Sequence, residues 1–337
     1  MVETQQSKNM DQGDATREPG DFIHSFLFGD ACIIEGDQAV RSRLKMTRST
    51  EGWIGLPHGG VGMGILLELA LHMGADRLHP VNQYPLNVEY RLGGASLRIG
   101  DAVEAAVITH EGGLSGHILR EGEDEPYLRA AIHYGKEGPH KKVQFQASLP
   151  ARYEDIADRL LPLPYYRNCF VCGVEREKPG LRRRFYFVDG EGAEKIVVSL
   201  AGFDEDDKQS FNRFQRDGIF HPLPILALID ETLGLAAFMV SASGGVTVRI
   251  DYTFYRDIQV GERLLFFGRG GKLKGKTPSR MMCWASGGAA AVQDNGTLEP
   301  VVSASGQWLG VPALTQQMRE ALIPENLNRR AFELAGS

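Results

Sequence analysis

Disulfides cannot hold this chain together, because it has only four cysteines, two of them in Cys169-Phe-Val-Cys172. Its stability must come from a packed core, and a reducing compartment is the simpler setting. No apolar run reaches the roughly 18 to 20 residues that a membrane-spanning helix needs, so no membrane partner is expected. The opening stretch MVETQQSKNMDQGDATREPGD lacks the apolar segment of a secretory signal. Residues 1–20 therefore read as a flexible tail, and a cytoplasmic location is expected. Neither sign of charge dominates: the net charge is −6 over 337 residues, which gives no general reason to expect nucleic acid as a partner. There is no P-loop and no GxGxxG ahead of a helix, so no phosphate cradle for a nucleotide is indicated and no cofactor is expected.

What the chain does have is a message stated twice. Residues 55–73, GLPHGGVGMGILLELALHM, place His58-Gly59-Gly60 directly before an apolar helical run that carries Glu68. Residues 218–240, GIFHPLPILALIDETLGLAAFMV, place His221 before a second such run, which carries Asp230 and Glu231. Similar strand wording follows each run. Val88-Glu89-Tyr90 and then Gly100-Asp101 answer to Ile250-Asp251-Tyr252 and then Gly261-Glu262. The stretches GDACIIEGDQAVRSRLKM and NCFVCGVEREKPGLRRRFYF precede the two runs. The spacing is roughly 160 residues, the mark of an internal duplication.

Each half thus predicts an opening strand, a long buried helix and several antiparallel strands. Apolar and polar residues exchange at period two from Val246 to Tyr252, and Asp294-Asn295-Gly296 punctuates a hairpin. A helix apolar nearly all round must be wrapped, and a curved sheet around one central helix does that. The fold class expected is α+β, two tandem copies over residues 21–136 and 166–312. Residues 137–165 read as a linker holding a short amphipathic helix ended by Pro162 and Pro164. Residues 313–337 read as a peripheral helical extension broken at Pro324.

The order of elements, the HisGlyGly helix start, the acid in the second helix and the strand Tyr252-x-Phe254-Tyr255-Arg256-Asp257-Ile258-x-Val260-Gly261-Glu262 resemble the hotdog-fold acyl-CoA thioesterases. The paaI-like branch is the nearest in wording. The segment Asn168-Cys169-Phe170-Val171-Cys172-Gly173, with Pro179-Gly180-Leu181 after it, looks like the opening strand of many such proteins. The resemblance covers residues 21–135 and 166–312 and implies a double hotdog in one chain. It also implies an acyl-CoA substrate, with coenzyme A entering as part of it, and active sites at the seam between paired hotdogs.

Thioester hydrolysis needs donors for the carbonyl oxygen and a carboxylate acting as base or nucleophile. First-turn amides of a helix have no partner within it, and glycine lets a carbonyl approach them, so Gly59 and Gly60 fit the first role. His58 would anchor the turn or position ligand. The competing reading is an ordinary loop-to-helix turn. Asp230 fits the second role: it lies amid ILALI and LGLAA, where burial raises a carboxyl pKa, and it follows His221 at the family's His-to-acid spacing. Its competing reading is a salt-bridged or solvent-facing acid. Glu231, turned by about 100° from it on a helix, reads as an orienter or a structural charge.

The halves differ. The position matching Asp230 is Leu67 in the first, and HisGlyGly becomes His221-Pro222-Leu223 in the second, where proline has no N–H to offer. One composite site is expected, Gly59 and Gly60 facing Asp230, with Thr247 lining it and Glu68 as a structural charge. The Asn that many family members carry ahead of the His is Gly52 here, and Gln215 in the second half. Arg269, Lys272, Lys274, Lys276 and Arg280 form a basic cluster that could hold coenzyme A phosphates, or be a solvated hairpin. With no second CxxC and no His at ligand spacing, Cys169 and Cys172 read as packing residues and no metal is expected. The functions in play are an acyl-CoA thioesterase, a non-catalytic acyl-CoA or acyl-ligand binding protein and, least, a hydratase or dehydratase, since neither central helix carries Asp-x4-His. A homodimer is possible through open sheet edges or faces.

Overall fold

Period-two segments become strands and the two apolar runs become buried helices in the computed structural model. It describes residues 21–73, 84–93, 96–135, 152–177, 179–189, 195–203, 210–275 and 281–336. The expected tail, 1–20, lies outside them. The main sheet contains, in chain order, β1 (Ile33–Glu35), β2 (Ala39–Lys45), β3 (Leu86–Leu92), β4 (Ala102–His110), β5 (Gly113–Arg120), β6 (Leu128–Tyr134), β7 (Leu160–Pro162), β8 (Phe185–Val188), β9 (Ile196–Ala201), β10 (Gly245–Phe254), β11 (Leu264–Lys274), β12 (Met282–Val292) and β13 (Leu298–Gly310). The helices are α1 (Phe22–Phe28), α2 (Gly59–His72), α3 (Pro222–Ser241), α4 (Pro312–Ala321) and α5 (Glu325–Gly336).

The spatial order is β1-β2-β4-β5-β6-β3-β10-β13-β12-β11-β9-β8-β7, antiparallel throughout. Read outward from the central β3·β10 pair, each half lists its strands in the same sequence, with β7 an additional edge strand of the second half. The duplication is therefore a pseudo-twofold, and its axis passes where Glu89 faces Asp251 in register. The two halves share one sheet, so no hydrogen-bonding edge is left open between them.

Each half-sheet wraps one helix. On α2 every residue from Gly60 to Ala70 is buried, and on α3 burial runs from Leu223 to Asp230 and resumes toward Met239. By length and composition α3 could cross a membrane, which corrects the expectation that no run is long enough. Here it is a core helix, mostly buried inside the protein. The seam strands hold the helices in matching ways. Tyr90 on β3 donates its hydroxyl to the Met63 carbonyl of α2 at 3.0 Å, and Tyr252 on β10 donates to the Leu226 carbonyl of α3 at 3.1 Å.

Three local expectations are corrected. Residues 137–151 lie outside the described residues, but 152–165 hold only a single helical turn, Glu154–Ala157, before β7 pairs with β8 at the sheet edge. Pro162 is tolerated there because an edge strand need not donate on its outer side. The Asn168–Gly173 segment is a loop of turns rather than an opening strand. The C-terminal extension is not merely peripheral, since Phe332 of α5 packs edge-on to Phe238 of α3, ring centroids 4.9 Å apart. The Asp294-Asn295-Gly296 turn does join β12 to β13, with Gly296 at φ 80°.

Candidate active site at the seam

Both central helices start on a histidine cap. His58 Nδ1 accepts the Gly60 amide at 3.1 Å, and His221 Nδ1 accepts the Leu223 amide at 3.1 Å. Each cap relieves one of the unpartnered first-turn N–H groups. The outward ring nitrogen of each histidine then meets a carboxylate of the other helix. His58 Nε2 is 3.3 Å from Glu231 Oε2, and His221 Nε2 is 3.0 Å from Glu68 Oε2. Glu68 and Glu231 occupy matching positions in the repeat, so their charges are cross-half anchors of the partner helix's cap.

At the first of these crossings Asp230 joins. A methyl group placed on Gly59 would stand 3.1 Å from Asp230 Oδ2. Thr247 donates its hydroxyl to Asp230 Oδ1 at 2.8 Å, and His58 Nδ1 is 3.8 Å from Oδ2. Asp230, His58, Gly59, Gly60, Glu231 and Thr247 are thus brought into one cluster from two halves of the chain. Burial holds the Asp230 carboxyl above its ordinary pKa, against the His58 charge and the Thr247 bond that pull it down. Burial would lower His58, but the Glu231 bond and the two carboxylate charges outweigh it and hold the imidazole above its usual value.

Gly60 has a second task that sequence reasoning missed. A methyl group there would lie 2.4 Å from Ala227 Cα, and one on Gly64 would lie 2.5 Å from Leu223 Cδ1. The two glycines let α2 and α3 touch backbone to backbone, which brings Asp230 to the glycine turn. Gly52 is also steric, because a methyl group there would lie 2.6 Å from His58 Cα.

The mirror crossing is chemically different. Leu67 borders a small apolar cavity of about 50 Å³, with Ile219, Phe220, Pro222 and Phe254 among its walls. Glu68, fully buried, is bound by two Arg216 nitrogens at 2.7 and 2.9 Å besides His221, and lies 3.5 Å from His72. Burial would raise Glu68, yet the bonds from His221, His72 and Arg216 hold its carboxyl well below the ordinary range.

Lys272 and Lys274 do not join the site. Gly270, just before them, packs against Ala236 and Val240, which lies about 15 Å along α3 from Asp230. Lys272 is exposed and lies over the Trp284 ring, as a solvated hairpin would place it. Lys276 and Arg280 lie outside the described residues. Two neighbours were missed. Tyr127, whose phenol is raised by burial and then by the Asp230 charge, stands near the acid. The Cys169–Cys172 loop folds over the cap: Cys169 Sγ is 3.2 Å from Glu231 Oε2, and Phe170 packs edge-on to the His58 ring. No histidine stands at ligand spacing along the sequence, but the fold sets His58 beside Cys169. The CxxC spacing was the available signal; its partners are too distant in sequence to be seen.

No family model matches the chain, and no curated protein sequence matches it. Solved structures do. An N-terminal dehydratase from the difficidin assembly line superposes at TM-score 0.52 with 10% identity, covering 88% of this chain and 99% of that one. A putative thioesterase II from Thermobifida fusca YX superposes at TM-score 0.50 with 14% identity, covering 87% and 99%. This chain is a double hotdog. At such identities the likeness carries the fold and not the reaction. The two neighbours bear the names of different chemistries, so within this double hotdog the site itself must choose.

Proposed function

We propose that this double hotdog is a thioesterase that hydrolyses an acyl-CoA-type thioester at one composite site. The observation that carries this reading is the contact between Asp230 of the second half and the Gly59 turn of the first. The Gly59 amide is the first N–H of α2 and has no acceptor within the helix, so it is placed to meet a carbonyl oxygen as that oxygen gains charge. Asp230 would act on the carbonyl carbon directly or through water. Thr247 fixes one of its oxygens and leaves the other on the glycine side. His58 links the acid to the turn, and Glu231 fixes the ring. The Gly60 amide, engaged by His58, serves the cap first.

A second reading has its own observation. His58 and Asp230 meet across the seam, and a His with a carboxylate is what hydration or dehydration of an acyl chain requires. The expectation that looked for both groups on one helix missed this pair.

One assay separates the outcomes. Reduced protein is offered a panel of saturated, enoyl and 3-hydroxyacyl-CoA thioesters, while free thiol and conjugated double bond are followed together. Thiol release that disappears in Asp230→Asn supports the thioesterase. Change in the double bond without thiol release supports the second reading. Binding with neither signal identifies a non-catalytic acyl-ligand binding protein and removes the enzyme.

A further inference from the structure

We propose that His58, Cys169 and Glu231 form a site for zinc that staples the two halves of the chain together. The observation is a convergence of donors. His58 Nε2, Cys169 Sγ and Glu231 Oε2 all lie within 4.8 Å of one another, with sulfur and nitrogen 3.2 and 3.3 Å from the same carboxylate oxygen. Donors bound to a tetrahedral zinc at 2.0 to 2.3 Å stand roughly 3.3 to 3.8 Å apart, so small shifts would admit the ion.

The loop is built as a thiolate cradle. The amides of Val171 and Cys172 both point at Cys169 Sγ, at 3.3 and 3.4 Å. A neutral thiol is a weak acceptor, whereas a metal-bound thiolate takes such bonds well. The turn closes on Gly173, where a methyl group would lie 2.5 Å from the Cys169 carbonyl oxygen. His58 and Cys169 are both buried.

Charge and proton balance fit zinc. Binding sends the Cys169 thiol proton to solvent. One thiolate, one carboxylate and a neutral imidazole leave no net charge around the dication. Arg176 stands close enough for both sulfurs to act on its charge, and its guanidinium is fixed by the carbonyls of Asn168 and Ser49. Coordination through Nε2 places the imidazole proton on Nδ1, which accepts the Gly60 amide at 3.1 Å and lies 3.8 Å from Asp230 Oδ2, so zinc binding exchanges the cap bond for one to that carboxylate. A carboxylate behind a ligating histidine is the usual support of such a site. One of these ligands comes from the first half and two from the second, so the ion ties the halves together, with the fourth position left to water.

Metal-stripped, reduced full-length protein is titrated with cobalt(II), and zinc-loaded protein is analysed for metal content; neither readout depends on turnover. We expect one zinc per chain and a thiolate-to-cobalt charge-transfer band with the visible bands of tetrahedral cobalt. Cys169→Ser should remove or sharply weaken the charge-transfer band, while the double variant Cys32→Ser, Cys283→Ser keeps it. Folded, reduced wild type that takes up neither zinc nor cobalt overturns the site, and so does a band that survives Cys169→Ser or vanishes in the Cys32, Cys283 variant. Recovery of Cys169 and Cys172 as a disulfide that metal cannot prevent also overturns it.

Discussion

Glu68 of α2 holds the capping histidine of α3, His221, at 3.0 Å, and it does so with no exposed surface of its own. Its counterpart, Glu231, holds His58 at 3.3 Å. The duplicated halves thus exchange a charge in each direction. Only one of the two crossings carries Asp230 beside it, and this asymmetry sets the expectations that follow.

Removing the acid should remove turnover. For Asp230→Asn we expect kcat/KM for the best acyl-CoA to fall by about 10²-fold or more, the range for loss of a positioned acid–base group. Leu67→Ala, at the matching position of the mirror crossing, should keep turnover per folded molecule and lower stability by about 2 to 5 kcal/mol, since it enlarges an apolar cavity. Thiol-release kinetics and chemical denaturation read the two effects. Activity that follows Leu67 and ignores Asp230 would reverse the assignment of the two crossings.

The adjacent glycines should separate packing from chemistry. Gly60→Ala drives a methyl group into the Ala227 backbone, and we expect it to destabilise the fold by about 1 to 3 kcal/mol. In Gly59→Ala the one tight contact of the methyl group is the Asp230 carboxylate at 3.1 Å, with Leu92 and Met63 at ordinary distances of 3.5 and 3.9 Å. That variant should fold with a smaller loss and lose activity. Equal melting temperatures for the two would contradict the backbone contact between α2 and α3.

Acid should unfold the protein partly through Glu68. Its folded pKa lies below the ordinary glutamate value of 4.5, so its stabilising effect is full above that value and is lost as pH falls through and below it. Glu68→Gln leaves His221 without its carboxylate and Arg216 with Asp21 alone, and we expect a loss of about 1 to 3 kcal/mol at neutral pH. Denaturation midpoints between pH 7 and pH 3 should show a shallower acid slope in the variant. An unchanged slope would remove Glu68 as its source.

Asp230 has the opposite sign. Its folded pKa lies above the ordinary 3.8, so the folded state holds the proton longer, and this group's contribution weakens stability as pH rises between the two values. If the ionised form is the working one, activity should rise with pH through a midpoint above 3.8. Thr247→Val removes the bond that favours the carboxylate and should move that midpoint upward. A midpoint that stays in place in the variant would show that another group governs the acid limb.

Much of this was legible along the chain. Periodicity gave the strands and helices, and the two histidine-led runs showed the repeat, because local burial imposes its spacing on neighbouring residues. The linker is a counterexample. Residues 160–162 form a strand because the edge of β8 is there to receive them, and nothing local announces that partner. Lys272 and Lys274 were judged by charge alone, and charge does not say which end of a helix a hairpin covers.

The sequence by itself determined the duplication, the two capped apolar helices and the presence of a single Asp at matching positions. Tertiary structure decided that His58 faces Glu231 and Asp230, that Gly60 is a helix-packing residue and that Cys169 reaches the same carboxylate. Those contacts join residues 62 to 173 positions apart. They depend on the register of β3 against β10 and on how closely α2 approaches α3, which no local pattern encodes.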